Sequence, residues 1–328
     1  MMKRCQKGKS CGDTCISRLK VCLSDLHGVG EDMNSMSKSI QSGVNRSNPP
    51  NGHRLSSSPL SGQAHGPGVK AAEKAIEALS GSTPGSQIKE IKGELDASKI
   101  NWGAALGREA TFDAAGSSGV FIGVPPKSLV GGFETRFPEG VGVKYGVVKR
   151  DEVEILKLAG ESGAGPRMIS AKIVEGGQGL GAVAMERVSG QPLIKALSDG
   201  EVTKEKMFDT YITGIAKLHR VGIEHGDAHL GNVIYNPQGG GKFIDFGLSQ
   251  KSPYHALWEA LSLSNNQLSH YQGFEDGITG PVATKLKGNL KRLENSGKLN
   301  RFYSIVEGDE GDHKAFILSA IKDLYKGI

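Results

Sequence analysis

The types and spacing of Asp227, Asn232 and Asp245 suit a magnesium site beside a proton acceptor. Asn232 follows Asp227 by five residues, and Asp245 follows Asp227 by eighteen. Short strands at 233–236 and 242–244, joined by a Pro- and Gly-containing turn, would bring Asn232 and Asp245 side by side. Mg²⁺ takes a few carboxylate or amide oxygens at close range and completes its shell with water and phosphate. The pattern therefore indicates chemistry on a phosphate group.

The segment that contains these residues reads HGDAHLGN and then DFG, which resembles the catalytic loop and the metal-binding motif of the protein-kinase superfamily. It is most similar to the aminoglycoside-phosphotransferase and lipopolysaccharide-kinase branch and to small atypical kinases of bacteria and phages. The resemblance implies an α+β fold with a small β-rich N-terminal lobe and a reduced helical C-terminal lobe, and with ATP and Mg²⁺ between them. It also implies that Asp227 orients the acceptor hydroxyl and that Asn232 and Asp245 hold Mg²⁺.

A phosphate-binding turn is predicted at Gly116, Ser117, Ser118 and Gly119, between two apolar runs. Glycines allow backbone N–H groups to approach a phosphate because no Cβ intervenes. The turn departs from the GxGxxG pattern, since Ala115 stands where a further glycine is expected.

A half-buried strand is predicted at 141–148, where apolar residues alternate and Lys144 falls on the opposite face. The resemblance implies that Lys144 binds the phosphates, with Lys149 as the alternative. The helix predicted at 151–158 offers Glu152 as the ion-pair partner of this lysine, with Glu154 as the alternative.

The segment 181–190 resembles the strand and hinge that bind adenine in the same superfamily. Met185 matches the residue that precedes the hinge, and Glu186 and Val188 would offer backbone C=O and N–H groups to the base. An amphipathic helix is predicted at 203–220, because its apolar residues recur at spacings of three and four.

The 328 residues are enough for one kinase-sized domain with an extension, and 37% hydrophobic residues can form a core. Helices are predicted at Val69–Leu79 and Gln87–Leu95. No apolar run is long enough to cross a bilayer, and no apolar signal segment is visible, so we expect a cytoplasmic protein or one delivered into a host cell without a cleavable signal. The predicted segments are a basic cysteine-rich segment (1–26), a flexible and disordered linker (27–68), a helical lead-in (69–99) and the kinase-like domain (100–328, with its first lobe to about 186 and its second from about 189).

All four cysteines, Cys5, Cys11, Cys15 and Cys22, lie in the first segment, beside six basic and two acidic residues. The spacing lacks a CxxC pair, and three alternatives remain open: a Zn²⁺ site, two disulfides, or a reduced tail. This basic segment could contact an anionic partner. It carries most of the formal net charge of +5, so nucleic-acid binding is not predicted for the catalytic domain.

The C-terminal part predicts a short activation segment. No Ala-Pro-Glu motif follows Gly247, and a helix is predicted almost at once, at 253–263. Gly226 replaces the arginine that pairs with a phosphorylated loop in many regulated kinases, so we expect activity without loop phosphorylation. Further helices are predicted at 280–293 and 314–324.

Three functions are compatible with these motifs. The first is an atypical kinase that moves the γ-phosphate of Mg-ATP to Ser or Thr of a protein substrate. The second is a kinase of small molecules such as antibiotics or sugars, which His229 favours because serine/threonine kinases carry lysine there. The third is a pseudokinase that transfers AMP. We prefer the first, because no large insertion that would enclose a small substrate is visible.

Overall fold

A computed structural model of the chain describes residues 9–11, 14–16, 66–80, 87–107, 109–115, 118–129, 136–175, 179–264, 280–306 and 312–328. Most of the predicted linker (27–68) and Cys5, Cys22, Gly116 and Ser117 lie outside the described residues.

Strands and helices alternate in the first half of the described chain, and helices dominate the second half. The strands are β1 (Lys9–Cys11), β2 (Thr14–Ile16), β3 (Gln87–Lys92), β4 (Thr111–Ala115), β5 (Gly119–Val124), β6 (Val141–Val147), β7 (Met168–Glu175), β8 (Leu180–Glu186), β9 (Gln191–Pro192), β10 (Ile223–Glu224), β11 (Val233–Asn236), β12 (Gly240–Phe243) and β13 (Gln250–Lys251). The helices are α1 (Pro67–Leu79), α2 (Pro126–Leu129), α3 (Arg150–Glu161), α4 (Leu193–Ser198), α5 (Lys204–Arg220), α6 (Pro253–Ser264), α7 (Pro281–Asn295), α8 (Lys298–Val306) and α9 (Lys314–Leu324).

The described residues belong to two compact units. The smaller unit contains α8 and an antiparallel pair of β1 and β2, in which Cys11 is opposite Thr14. The larger unit contains all the other elements. In the described part of the chain, no helix combines the length and the apolar character that a bilayer crossing requires.

The larger unit begins with a six-stranded antiparallel sheet in the order β3-β7-β8-β6-β5-β4. Helix α1 packs against β5, β6 and β8 and contributes Val69 and Ala72 to a core that includes Val143 and Tyr145. Burial of apolar surface on one side of the sheet is the main stabilising contribution here. The strand that carries Lys144 is therefore supported from behind, and its residues are buried from Val141 to Gly146.

The prediction of a helix at Gln87–Leu95 is wrong, because residues 87–92 form β3. Ile88, Ile91 and Leu95 have helical spacing, but β3 pairs along its whole length with β7. Sheet pairing satisfies the backbone groups of this segment, and tertiary context outweighs the local pattern. Residues 87–92 therefore belong to the sheet, and Val69 and Ala72 of α1 belong to its core.

The second half of the larger unit is helical, with α5, α6, α7 and α9 packed on one another. The helices predicted at 203–220, 253–263, 280–293 and 314–324 are confirmed within two residues at each end. Thr203 caps α5, because its hydroxyl oxygen accepts a hydrogen bond from the Lys206 N–H at 3.2 Å. Two small antiparallel sheets, β12-β11-β9 and β10-β13, hold the loops of the candidate site.

Candidate active site

Lys144 and Glu152 form a buried ion pair between β6 and α3. The Nζ atom of Lys144 lies 2.5 Å from Oε1 of Glu152, and the two side chains are 3% and 12% exposed. A buried ammonium requires a carboxylate partner, and removal of one partner of such a pair typically costs about 3–5 kcal/mol. The pair fixes the ammonium group on the sheet face opposite to Tyr145.

The alternative residues are not part of this pair. Lys149 is the exposed residue that precedes the first turn of α3. Glu154 lies on the surface of the helix, 3.8 Å from Arg150, and both side chains are more than half exposed. The structure thus brings Lys144 and Glu152 together and leaves Lys149 and Glu154 at the surface.

Asp227 and Asn232 are joined by two hydrogen bonds. The Nδ2 group of Asn232 donates to the backbone oxygen of Asp227 at 3.0 Å and to its Oδ2 at 3.2 Å. These bonds orient the Asp227 carboxylate, and they leave Oδ1 as the atom with which Asn232 could bind a metal ion.

His225 is a buried support beneath this loop. Its Nε2 group donates to the Ile244 carbonyl at 3.1 Å, its Nδ1 accepts from the Asp227 N–H at 3.3 Å, and its ring lies between Phe243 and Phe246. Burial lowers the pKa of His225, so the ring is neutral and each nitrogen has one role. His225 thereby connects the Asp227 loop to the segment that contains Asp245.

Asp245 lies next to Asn232 in a strained conformation. The Ile244 N–H donates to the Asn232 carbonyl at 2.9 Å, which brings the two loop ends together as the hairpin of β11 and β12 predicts. Asp245 has a φ of 62°, and it is the only residue other than glycine with a positive φ in the described ranges. Such strain costs about 1–3 kcal/mol and is concentrated at functional sites.

The side chains present fit a magnesium ion that takes most of its ligands from phosphate and water. Asn232 offers an amide oxygen and the exposed Asp245 offers a carboxylate, which are the oxygen types that Mg²⁺ prefers. Within the described ranges there is no group of three or more His, Cys, Asp or Glu side chains that could hold a metal by itself. In a site with two protein oxygens, phosphate oxygens and water would complete the magnesium shell.

The predicted phosphate-binding turn joins β4 and β5, and Ser118 and Gly119 are its described residues. The Ser118 carbonyl accepts a hydrogen bond from the Val147 N–H at 2.7 Å. A Cβ on Gly119 would lie 2.2 Å from the Tyr145 carbonyl, so β5 approaches β6 at a distance that only glycine allows. This geometry gives Gly119 a packing role, and its contact with phosphate remains a prediction.

Glu186 lies at the end of β8, where the predicted hinge begins. Its carboxylate accepts from Lys242 Nζ at 2.7 Å and from the Arg167 N–H at 3.1 Å. Burial raises the pKa of this carboxyl, but the hydrogen bonds and charges of Lys242 and Arg167 outweigh burial, so the pKa is below its usual value. The side chain therefore has a structural partner, while the predicted adenine contacts of Glu186 and Val188 use backbone groups.

Sequence reasoning missed Glu259, a carboxylate in the middle of the mostly apolar helix α6. Its Oε2 accepts from the His225 N–H at 2.9 Å and its Oε1 from the Gly226 N–H at 3.1 Å. These two amides directly precede Asp227, so Glu259 fixes the path of the backbone into the candidate base. The signal in the sequence was a single glutamate among the mostly apolar residues of HALWEALSL. A charged residue within a buried helix usually has a specific partner.

The activation segment is as short as predicted. Residues 248–252 connect Gly247 to α6, and within them β13 pairs with β10, the strand that leads into the Asp227 loop. Strand β13 also contacts α3, the helix that carries Glu152. The segment is therefore anchored to both halves of the candidate site.

Comparisons with known proteins identify kinases as similar to this chain. No protein-family model matches. The chain is 39% identical over 71 residues to CBL-interacting serine/threonine-protein kinase 1 of Arabidopsis thaliana, which covers 20% of this chain and 16% of that kinase.

Among solved structures, the kinase PK-1 of the Cydia pomonella granulovirus is 16% identical, covers 55% of this chain and 56% of its own, and has a TM-score of 0.30. The bifunctional kinase-methyltransferase WbdD is 17% identical over 57% of this chain and 41% of its own, with a TM-score of 0.31. A co-crystal of WbdD with the kinase inhibitor LY294002 is 16% identical over 66% and 46%, with a TM-score of 0.36. The chain thus spans a sixth to about half of these proteins, and its own element order and side-chain contacts are the basis for assigning the fold.

Proposed function

The chain has a protein-kinase-like fold, and we propose that it is an ATP-dependent phosphotransferase that moves the γ-phosphate of Mg-ATP to a hydroxyl group. The observation that carries this proposal is the joint presence of the buried Lys144–Glu152 pair and the hydrogen-bonded Asp227–Asn232 pair, with Asp245 beside Asn232. Each of these groups has an ordinary structural explanation by itself. Their combination has the composition that phosphoryl transfer requires.

Phosphoryl transfer depends on positioning and on charge neutralisation more than on covalent work by the protein. The Asp227 carboxylate would accept a hydrogen bond from the acceptor hydroxyl and take its proton as the oxygen bonds to the γ-phosphorus and the bond to the β-phosphate oxygen breaks. Lys144 would place its ammonium against the α- and β-phosphates, held by Glu152. Asn232 and Asp245 would hold Mg²⁺, which neutralises phosphate charge when it is bound.

We propose a protein as the acceptor, with the hydroxyl on a serine or threonine. Leu248 follows the Asp-Phe-Gly motif, is 65% exposed and has its carbonyl against Gly226, next to Asp227. In the proposed complex, this side chain would contact a residue of the peptide that flanks the acceptor hydroxyl.

A small-molecule acceptor is the second candidate, and His229 favours it. The Nδ1 atom of His229 accepts from the Gly231 N–H at 3.0 Å, and Nε2 lies 3.7 Å from Asp227 Oδ2. The imidazole of His229 stands where serine/threonine kinases place a lysine ammonium against the phosphate. Labelled ATP added to the pure protein with cell lysate separates the two, because label appears either in protein bands or in small molecules.

Substitution of the candidate base tests the proposed reaction. We expect Asp227→Asn to lower kcat by about 10²–10⁴-fold, the usual contribution of a general base, with nearly unchanged affinity for ATP. Asp199→Asn is the matched control, because Asp199 is a surface residue paired with Lys195 of the same helix region, and it should leave kcat unchanged. The measurements are steady-state phosphotransfer and nucleotide binding.

Substitution of Lys144 distinguishes transfer of the γ-phosphate from transfer of AMP. Lys144→Met should weaken nucleotide binding as well as the rate, because it removes a phosphate contact. A nearly wild-type Asp227→Asn protein together with an inactive Lys144→Met protein would contradict transfer of the γ-phosphate with Asp227 as the base. It would favour transfer of AMP from a nucleotide bound in the reverse orientation.

A further inference from the structure

Tyr325 is a buried tyrosine that follows α9, and its hydroxyl reaches the interior of the helical half. The ring is fully buried, and the hydroxyl oxygen lies 2.7 Å from Nδ1 of His219, a buried residue of α5. On the other side of the same imidazole, Nε2 lies 2.7 Å from Oε2 of Glu259. Tyr325, His219 and Glu259 thus form a continuous chain that ends at the amides of His225 and Gly226.

The chemistry of the chain determines where its protons lie. Glu259 accepts from two backbone N–H groups, which favours the ionised carboxylate. Burial raises the pKa of Glu259, but the His219 hydrogen bond and the backbone hydrogen bond outweigh burial, so its pKa is lowered. An ionised carboxylate requires a donor, so Nε2 of His219 carries hydrogen.

An imidazole with hydrogen on Nε2 alone has an acceptor at Nδ1, to which the Tyr325 O–H can donate. Burial raises the pKa of Tyr325 well above its usual value, which keeps the hydroxyl protonated and able to donate. In this arrangement each polar atom of the buried chain has a partner of the opposite kind, as buried polar groups require.

The backbone around Tyr325 is held by side chains from two other helices. Arg220 donates to the carbonyl of Tyr325 at 2.6 Å and to that of Ile328 at 3.0 Å. Asn289 of α7 donates to the carbonyls of Leu324 at 2.8 Å and Lys326 at 3.1 Å. These bonds fix the position of the tyrosine, so its hydroxyl stays aligned with His219.

We propose that Tyr325 is a positioning residue for the Asp227 loop. Its hydroxyl donates to Nδ1 and so stabilises the His219 tautomer with hydrogen on Nε2, which the Glu259 carboxylate also requires. That hydrogen orients the Glu259 carboxylate toward the amides of His225 and Gly226. With hydrogen on Nδ1 instead, the Nε2 lone pair would face the carboxylate, and Glu259 would turn away or lose its charge. The segment after α9 therefore acts on the candidate base without touching substrate.

The tautomer can be measured in the full-length protein without any substitution. Nitrogen-15 NMR of histidine-labelled protein should show two buried histidines with a protonated Nε2 and an unprotonated Nδ1, His225 and His219, and the His219 signal is assigned by its loss in His219→Gln. A His219 ring protonated on Nδ1, alone or together with Nε2, would overturn the proposal.

Removal of the hydroxyl tests whether the loop responds. Tyr325→Phe keeps the ring but removes the donor to Nδ1, so the Nδ1 resonance of His219 should shift. The Gly226 amide should exchange its hydrogen about fivefold faster, since loss of a hydrogen bond is typically worth about 1 kcal/mol. Tyr254→Phe is the matched control, a partly buried tyrosine in the helix of Glu259 but outside the chain, and both signals should stay as in the wild type. Unchanged exchange of the Gly226 amide in Tyr325→Phe would contradict the proposal.

The kinetic readout rests on the proposed phosphotransfer. We expect Tyr325→Phe to lower kcat by about threefold to tenfold, with the KM for ATP within about twofold of the wild type, because the change concerns the acceptor side. A general structural loss would change both constants. If the wild-type protein transfers no phosphate, the proposed function fails, and the tautomer and the amide exchange still decide the role of Tyr325.

Discussion

Backbone geometry determines the identity of Gly226. The sequence motif suggested that an arginine had been replaced and that a phosphate-dependent control had been lost. In the structure Gly226 has a φ of +76°, and a Cβ on it would lie 2.5 Å from the Leu248 carbonyl. An arginine at this position would require the activation segment to move, so the missing charge follows from the close packing of two loops.

Alanine substitutions separate two contributions to the free energy of unfolding at Gly226: the strain of a positive φ and the close contact with the Leu248 carbonyl. Gly200 has a similar φ of +73°, but a Cβ on it would meet no atom within 4 Å, so Gly200→Ala measures conformational strain alone. We expect Gly200→Ala to lower the free energy of unfolding by about 1 kcal/mol, and Gly226→Ala by at least about 1 kcal/mol more. Urea unfolding of both variants gives the comparison. Equal losses of unfolding free energy in the two variants would mean that the Leu248 backbone can move away from the added Cβ without a free-energy cost.

Glu259 should make stability depend on acidity. Its pKa is lowered in the folded protein, because the His219 and backbone hydrogen bonds outweigh burial. The unfolded chain therefore binds the proton more tightly, and the contribution of Glu259 is fully present above the ordinary glutamate pKa of about 4.3 and is lost as the pH falls through the lower folded value. The difference in unfolding free energy between wild type and Glu259→Gln should thus shrink as urea unfolding is repeated from pH 7 toward pH 3.

The control for this measurement involves Glu224. Burial raises the pKa of Glu224, and so does the nearby charge of Glu259, which gives a pH dependence of the opposite sign. The comparison is therefore made in a Glu224→Gln background, with the exposed Glu201→Gln as the surface reference. A difference that is constant over the whole pH range would show that the Glu259 carboxylate has the same pKa in both states.

Sequence patterns identified the residues of the candidate site better than the residues that hold them in place. Alternation along β6 placed Lys144 on the face opposite to the apolar residues, and the structure pairs it there with Glu152, because a strand places successive side chains on opposite faces. Glu259 and His219 could not be found in this way, since their partners are backbone amides and a tyrosine about a hundred residues away along the chain. Long-range contacts of this kind leave no periodic signal.

Among the elements, β6 depends most on its neighbours. Its Lys144 faces Glu152, and its Val143 and Tyr145 face α1, so both sides of the strand are covered. Strands buried on both faces are usually continuous apolar runs, and here a charged residue is accommodated because it is paired. Helix α1 therefore contributes to the position of the lysine although it lies far from the phosphate chemistry.

Truncation tests the contribution of α1. A chain that starts at residue 66 retains the helix, and a chain that starts at residue 81 lacks it. We expect the shorter chain to lose at least about 3 kcal/mol of unfolding free energy, because Val69 and three buried alanines leave the core and the sheet face behind them becomes exposed. Thermal and urea unfolding of the two chains provide the measurement. Equal stability would show that α1 is not required by the sheet.

The order of elements was predictable where local pattern and tertiary structure agree. The amphipathic helices α5, α7 and α9 and the hairpin of β11 and β12 have the expected periodicity and turn residues. Strand β3 was misread because its isoleucines have helical spacing and its partner β7 is distant in sequence. Pairing of an edge strand depends on tertiary contacts, so the sequence of its six residues alone does not predict it.

For the larger unit as a whole, the Glu186–Lys242 ion pair joins the sheet to the helical half. Glu186 ends β8, Lys242 lies in β12, and Asp245 follows three residues after Lys242. The same carboxylate is bound by Arg167, which also lies over the Phe137 ring at 4.7 Å. One side chain at the predicted hinge thus links the start of β7 to the strand that leads into the metal-binding motif.

The antiparallel pairing of β3 with β7 has a consequence for synthesis of the chain on the ribosome. Gln87 is opposite Glu175, so roughly eighty residues must emerge before the first-made strand of the sheet can find its partner. Until then its backbone groups remain unpaired, which is the state in which edge strands associate with other chains. Pairing of β3 along its whole length therefore has to wait until residue 175 has left the exit tunnel. Slow elongation before that point would lengthen the interval in which the nascent protein is prone to aggregate.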